Sequence, residues 1–208
     1  AIAASPRLRF AGLHAYHGSA QHLRTLAERS AAIAHAAAEA QRTRDLIERA
    51  GLACPLVTGA GTGSFTFEAA SRVYGELQPG SYVFMDADYA RIDWEGLPRF
   101  AQSLFILTTV MSAPVPERVV VDAGLKAHSI DSGMPLVHER PGLEYAKASD
   151  EHGVVNVAPG AARPALGEKL RLVPGHCDPT VNLYDWIVGV RGGRVEAVWP
   201  IAARGAFY

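Results

Sequence analysis

Apolar and polar positions along this 208-residue chain fall into two regimes. In the first, the run Leu8-Arg9-Phe10-Ala11-Gly12-Leu13-His14 predicts a buried strand. An alanine-rich stretch from about Ala20 to Arg49 predicts a long helix, closed by Gly51 in the left-handed cap position. The apolar run Ala53 to Val57 predicts a second strand, ending in the loop Thr58-Gly59-Ala60-Gly61-Thr62-Gly63-Ser64. A short helix is expected over Thr66 to Tyr74. Pro79-Gly80 then turns into the alternating segment Ser81-Tyr82-Val83-Phe84-Met85-Asp86, which predicts a third strand. Strand–helix–strand–helix–strand with short connections is the pattern of parallel β/α units.

From about Arg99 the pattern changes. Leu104 to Met111, Arg118 to Asp122, Leu170 to Val173, Trp186 to Arg191 and Val195 to Trp199 predict strands, separated by Gly, Pro and Asp turns. Arg191-Gly192-Gly193-Arg194 is expected to close a hairpin. No long helical period occurs here, so this half is expected to be mostly antiparallel β. Three strands and two helices cannot close a β/α barrel, which takes eight units and about 250 residues. The first half therefore resembles the end of a barrel whose beginning lies outside the chain. The expected division is residues 1–95 for the barrel part and 96–208 for the β domain.

Composition narrows the function classes. Formal net charge is −1 with basic residues dispersed, which leaves no electrostatic footprint for nucleic acid or an anionic membrane. No apolar run approaches the ~18 residues of a membrane span. The start of the chain lacks the charged and apolar regions of a secretory signal. Cys54 and Cys177 stand in unrelated contexts, so a reducing cytosol is the expected location. The only lysines are Lys126, Lys147 and Lys169.

Four segments carry candidate chemistry. In Pro174-Gly175-His176-Cys177-Asp178-Pro179-Thr180, an extended backbone would turn His176 and Asp178 to one face and Cys177 to the other. That makes half of a divalent metal site, or a solvated turn. The glycine loop Thr58 to Ser64 lies between a strand and a helix, where backbone N–H groups can cradle an anion; a tight turn without a ligand is the alternative. It has neither the P-loop lysine nor Rossmann spacing. His14, Tyr16, His17 and His22 cluster where a strand runs into a helix, which in a barrel is the active-site face. Ser149-Asp150-Glu151-His152-Gly153 is either a polar turn or a second approach to a metal or substrate.

Taken together and in this order, the segments resemble the D-threonine aldolase family and its relative, eukaryotic-type D-serine dehydratase, both in the alanine-racemase-like class of pyridoxal-phosphate enzymes. The carrying residues run from Gly12-Leu13-His14-Ala15-Tyr16-His17-Gly18-Ser19 through Thr58 to Gly63 and Glu76 to Asp86. They continue through Val121 to Ala127, Ser149 to Gly153, the His-Cys-Asp loop and Val198-Trp199-Pro200 with Ala203-Arg204-Gly205. The resemblance implies the C-terminal part of a (β/α)8 barrel followed by a β domain, in a homodimer. It implies pyridoxal 5'-phosphate near Tyr16, Gly61, Thr62, Gly63 and Tyr82, and a divalent metal beside the cofactor on His176 and Asp178. It implies His22 as the catalytic base that takes the β-hydroxyl proton of a D-β-hydroxy amino acid as the Cα–Cβ bond breaks, releasing an aldehyde and glycine.

One departure separates the two branches. The dehydratase branch has His-x-Cys, suited to zinc, whereas this chain has Asp178 in the third place. A carboxylate without a thiolate suits Mn²⁺ first, or Mg²⁺ or Ca²⁺. That selects aldolase chemistry, with D-serine dehydration as the alternative. A non-catalytic anion- or metal-binding module is the alternative from a different class. Family members hold the cofactor on a lysine near the N-terminus, and none of Lys126, Lys147 and Lys169 has that setting. The chain is thus expected to be the C-terminal part of a longer enzyme, partnered by its N-terminal half.

Overall fold

The computed structural model describes residues 1–205, and two compact units divide the chain. The first comprises Ala1–Val83 and Tyr89–Phe100; the second comprises Phe84–Asp88 and the chain from Ala101 onward.

The first unit contains three short parallel strands, β1 (Leu13–His14), β2 (Val57–Gly59) and β3 (Glu76–Leu77), ordered β1-β2-β3. Leu13 pairs with Val57, and Thr58 with both His14 and Glu76. Helix α1 (Leu26–Arg49) connects β1 to β2, and α2 (Phe65–Ser71) connects β2 to β3. The β/α order is the one that the pattern predicts, but β2 starts where the predicted strand Ala53 to Val57 ends, and β3 forms over Glu76–Leu77, where the pattern predicts no strand.

Helix α1 begins later than the apolar pattern suggests. Its start is set by Thr25, whose hydroxyl accepts from the Glu28 amide while the Glu28 carboxylate accepts from the Thr25 amide. Residues Gly18–His22 form a separate 3₁₀ turn. The buried guanidinium of Arg29 donates to the carbonyls of Leu23, Arg24 and Asp93, which ties down the intervening chain. Ala37 and Ala40 pack against Val57 and Tyr74, so alanine is used where the helix lies close to the sheet. The helix stops at Gly51, with φ +82°, as expected.

Two further expectations fail in this unit. The strand over Leu8 to His14 shrinks to Leu13–His14. The strand over Ser81 to Asp86 does not form: Ser81–Val83 is a 3₁₀ turn, the Val83 N–H goes to the Gly80 carbonyl, and Met85 has φ +55°. A left-handed residue there breaks extended pairing. The one-turn helix α3 (Ala87–Ala90) follows.

The second unit is a six-stranded antiparallel sheet, ordered β6-β9-β4-β5-β8-β7, plus a two-stranded hairpin. The strands are β4 (Ile106–Val115), β5 (Arg118–Val121), β6 (Leu136–Val137), β7 (Leu143–Ala148), β8 (Gly153–Val157) and β9 (Lys169–Val173). Edge strands β6 and β7 also touch, so the sheet curls toward closure. Its core is Val110, Val119, Val121, Tyr145, Val155, Leu170 and Leu172. The one-turn helix α4 (Cys177–Val181) leads to β10 (Trp186–Arg191) and β11 (Arg194–Pro200). Gly192 and Gly193 both have positive φ, the requirement of the two-residue hairpin turn that the sequence predicts. Strands β6, β7 and β8 are additions to the sequence reading.

Candidate functional site

In the first unit the glycine loop is built around a buried amide. Gln21, at the end of the 3₁₀ turn, accepts from the Gly63 N–H through Oε1 (2.9 Å) and donates through Nε2 to Ser64 Oγ (2.7 Å). Ser64 Oγ in turn donates to Glu68 Oε1 (2.8 Å), and all three side chains are buried. Glu68 Oε2 has no hydrogen-bond partner. Burial pushes the Glu68 carboxyl up toward its neutral form, against the opposing hydrogen bond from Ser64. A Cβ on Gly61 would stand 2.5 Å from the Gln21 side chain. Glycine there makes room for Gln21, a reason that sequence spacing does not reveal.

The residues predicted to surround a cofactor are distributed as follows. Thr62 is buried, and its Oγ1 accepts from the Tyr82 N–H at 3.0 Å, which joins two of them. The Tyr82 ring, 40% exposed, packs against Phe100. Tyr16, 49% exposed, stacks on His14, whose Nε2 bonds to Gln78 Oε1 at 2.9 Å. His14, Tyr16 and His17 line an open depression of about 400 Å³ against α1 residues Ala36, Glu39, Ala40 and Thr43. Neither the glycine loop nor His22 lines that depression. His22 closes the 3₁₀ turn with its side chain exposed.

This loop fits an anionic group in part. The Gly63 N–H is taken by Gln21, and the Gly61 N–H makes only a long 3.4 Å contact with Ser64 Oγ. Of these two amides, that of Gly61 is the more weakly engaged. No lysine lies in this unit, because Lys126, Lys147 and Lys169 all belong to the other. Lys126 donates to Glu151 at 2.7 Å, and Lys169 to Thr109 at 2.5 Å.

In the second unit His176 is extended at the N-cap position of α4, without a side-chain capping bond, while Asp178 lies in the first helical turn. Convergence thus arises from a helix start and not from a continuous strand. His176 Nε2 and Asp178 Oδ2 face each other at 3.9 Å. Cys177 is fully buried, and its thiol donates to Asp178 Oδ1 at 3.2 Å. The loop is fixed from behind: Asp86 Oδ2 accepts from the Cys177 N–H (3.0 Å), and the Pro174 carbonyl accepts from the Ala87 N–H (2.8 Å). Gly175 is obligatory, since a Cβ there would sit 1.9 Å from the Gly133 carbonyl oxygen.

On the other side of the ring, His176 Nδ1 lies 2.7 Å from Asp131 Oδ2. Partial burial would raise the Asp131 carboxyl, but hydrogen bonds from Ser129 and His176 outweigh it and hold the group below the usual range. Among the described residues no group of three or more His, Cys, Asp or Glu is gathered for a metal. The pair fits a cation as two ligands only, one imidazole nitrogen and one 71%-exposed carboxylate free to adjust; water or substrate would complete the sphere.

Ser149-Asp150-Glu151-His152 proves to be the turn between β7 and β8. With Lys126 it lines an open depression of about 480 Å³. Gln21, Glu68, Asp86 and Asp131 are the residues that the sequence reading missed or left unassigned. Gln21, Asp86 and Asp131 act through partners far along the chain, which no local motif announces, whereas Glu68 bonds Ser64 four positions away.

The model of the putative serine dehydratase domain matches residues 103–190. The chain is 54% identical over 200 residues to the D-threonine aldolase of Arthrobacter sp., covering 96% of this chain and 53% of that protein. It is 52% identical over 213 residues to the 3-hydroxy-D-aspartate aldolase of Paracoccus denitrificans (strain Pd 1222), covering 100% and 54%. The crystal structure of D-threonine aldolase from Filomicrobium marinum superposes with a TM-score of 0.94 at 48% identity, covering 100% and 56%. The chain spans about half the length of the curated relatives it matches.

Proposed function

This chain belongs to the D-threonine aldolase family over the half of its relatives' length that it spans, and from that premise we propose that the whole protein cleaves D-β-hydroxy-α-amino acids such as D-threonine to glycine and an aldehyde. The observation that carries the reading is the pairing of His176 with Asp178 in a chain this similar to an aldolase. When bound, pyridoxal 5'-phosphate would supply an electron sink for the carbanion left at Cα, and a divalent ion would supply Lewis acidity at the β-hydroxyl.

The chain's own residues take the remaining roles. Gly61 and Thr62 would hold the phosphate, with the Gln21–Ser64–Glu68 network keeping the loop in shape behind them. Burial already disfavours the charged form of Glu68, the same direction in which a nearby anion would push it. Tyr16 and Tyr82 would line the cofactor with half-exposed rings. His176 and Asp178 would hold the metal, Mn²⁺ being favoured over Mg²⁺ and Ca²⁺ by the nitrogen ligand. His22 would take the β-hydroxyl proton as general base. The lysine that anchors the cofactor would come from the N-terminal half of the same enzyme, and a homodimer in the cytoplasm is the setting we infer.

Acetaldehyde release from D-threonine by the whole protein tests the proposal. Cleavage that stops on chelation and returns with Mn²⁺ is the expected result; cleavage of L-threonine alone would refute it. D-Serine dehydration is the second reading, favoured by the domain matched over residues 103–190. Pyruvate formed from D-serine faster than acetaldehyde from D-threonine would establish it. The 3-hydroxy-D-aspartate aldolase likeness makes that amino acid the first alternative substrate to assay.

A further inference from the structure

We infer that Asp131 is the positioning residue of the metal pair, holding the His176 ring so that Nε2 is presented beside Asp178. The inference rests on the metal reading above and goes beyond it, because it concerns a residue on a different loop, 45 positions earlier in the chain. Asp131 Oδ2 lies 2.7 Å from His176 Nδ1, and Ser132 Oγ donates to the same oxygen at 3.2 Å. Asp131 Oδ1 accepts from Ser129 Oγ at 2.5 Å. Both carboxylate oxygens are thus engaged, and the carboxylate is fixed before it meets the histidine.

The histidine is fixed at its other end as well. Its carbonyl accepts from Thr180 Oγ1 at 2.7 Å, and the same Thr180 oxygen accepts from the Ser129 N–H at 3.1 Å. The loop that carries Asp131 is therefore bonded to the helix turn that carries His176 at two points, ring and backbone. A carboxylate only accepts, so Nδ1 carries a proton, and in the neutral ring that a metal requires Nε2 then has its lone pair toward Asp178. The two ring nitrogens point to opposite sides, so Asp131 cannot ligate an ion held by Nε2. A carboxylate behind a ligating histidine fixes its tautomer, orients its ring and raises its basicity. The bland alternative is a partly exposed ion pair contributing nothing to a metal.

Mn²⁺ binding to the metal-stripped whole protein separates these readings. It would be measured by electron paramagnetic resonance, alongside thermal unfolding of the metal-free form and the cofactor absorbance. His176→Ala should abolish binding. Asp131→Ala should weaken it about 10–100-fold, and Asp131→Asn, which keeps an acceptor, should weaken it less. The metal-free melting temperature and cofactor absorbance should not move. Wild-type affinity in Asp131→Ala, with binding lost in His176→Ala, would overturn the inference and leave the metal reading standing. A large fall in metal-free stability in both Asp131 variants would also overturn it, making Asp131 a fold support. Binding that survives His176→Ala would instead sink the metal reading itself.

Discussion

Asp86 holds the amide of Cys177: its Oδ2 accepts that N–H at 3.0 Å across 91 positions of chain. Asp86 is completely buried, and its own carbonyl accepts from Gln102 Nε2 at 3.0 Å. The start of α4, and with it the approach of His176 to Asp178, depends on this carboxyl. Removing the acceptor with Asp86→Ala should cost about 1–3 kcal/mol in urea unfolding and weaken Mn²⁺ binding. Asp86→Asn keeps one acceptor oxygen and should lose less of both. Equal losses in the two variants would show that the bond to Cys177 is not what Asp86 supplies.

Gly175 offers a steric test of the same loop. A methyl group there would meet the Gly133 carbonyl oxygen at 1.9 Å, so the backbone of one loop has to move. Gly175→Ala is expected to cost about 1–3 kcal/mol or more and to abolish Mn²⁺ binding through displacement of His176. Gly80→Ala is the control, because nothing lies within 4 Å of that position. Differential scanning calorimetry of both variants reads the contrast.

Glu68 predicts a pH dependence. Burial raises its folded pKa above the unfolded value, so the folded state retains a proton that the unfolded state releases. Its favourable contribution is full below the unfolded pKa of about 4.3 and is lost as pH rises through the folded value. Glu68→Gln keeps the acceptor for Ser64 and cannot ionise. The variant should therefore gain melting temperature relative to wild type as pH goes from 5 to 8. A difference that stays constant across that range would contradict the assignment.

His128 works in the opposite direction. The Tyr145 hydroxyl, whose pKa burial pushes up to about 12, donates to the Ala123 carbonyl at 2.6 Å. His128 Nε2, 3.1 Å from that hydroxyl oxygen, is then the donor, and burial lowers the imidazole pKa. The unfolded state binds more protons than the folded state below about pH 6.5, so stability falls as pH drops through that value. His128→Gln should lower stability at pH 8 and flatten the slope between pH 7 and 5.5 in urea titrations.

Local chemistry made some elements legible in the chain. Paired glycines between Arg191 and Arg194 specify a tight hairpin whatever surrounds them, and that hairpin forms. Gly51 ends α1 for the same kind of reason: its φ of +82° suits glycine and few other residues. The His-x-Asp motif was legible too, but its two side chains meet only because His176 stays extended at the start of α4, a start held by Asp86 from far along the chain. The segment over Ser81 to Asp86 misled because alternation is only a preference. Its Tyr82 N–H went to Thr62 Oγ1 and its Val83 N–H to Gly80, which takes both amides out of a ladder. Strand β8 was missed for the converse reason. It is held on both sides, by β5 and β7, and those partners confer order that its own short sequence does not announce.

The sequence by itself determined the order of β/α and β elements, the tight turns, the His-x-Asp pair and the family. Tertiary structure alone decided which groups stand behind the candidate site. Gln21 reaches Ser64, Asp86 reaches Cys177 and Asp131 reaches His176 over 43, 91 and 45 positions. The physical reason is range. A turn or cap is fixed by dihedral preferences and hydrogen bonds within a few residues, whereas a buried polar group is satisfied by whichever partner the packed chain brings within about 3 Å.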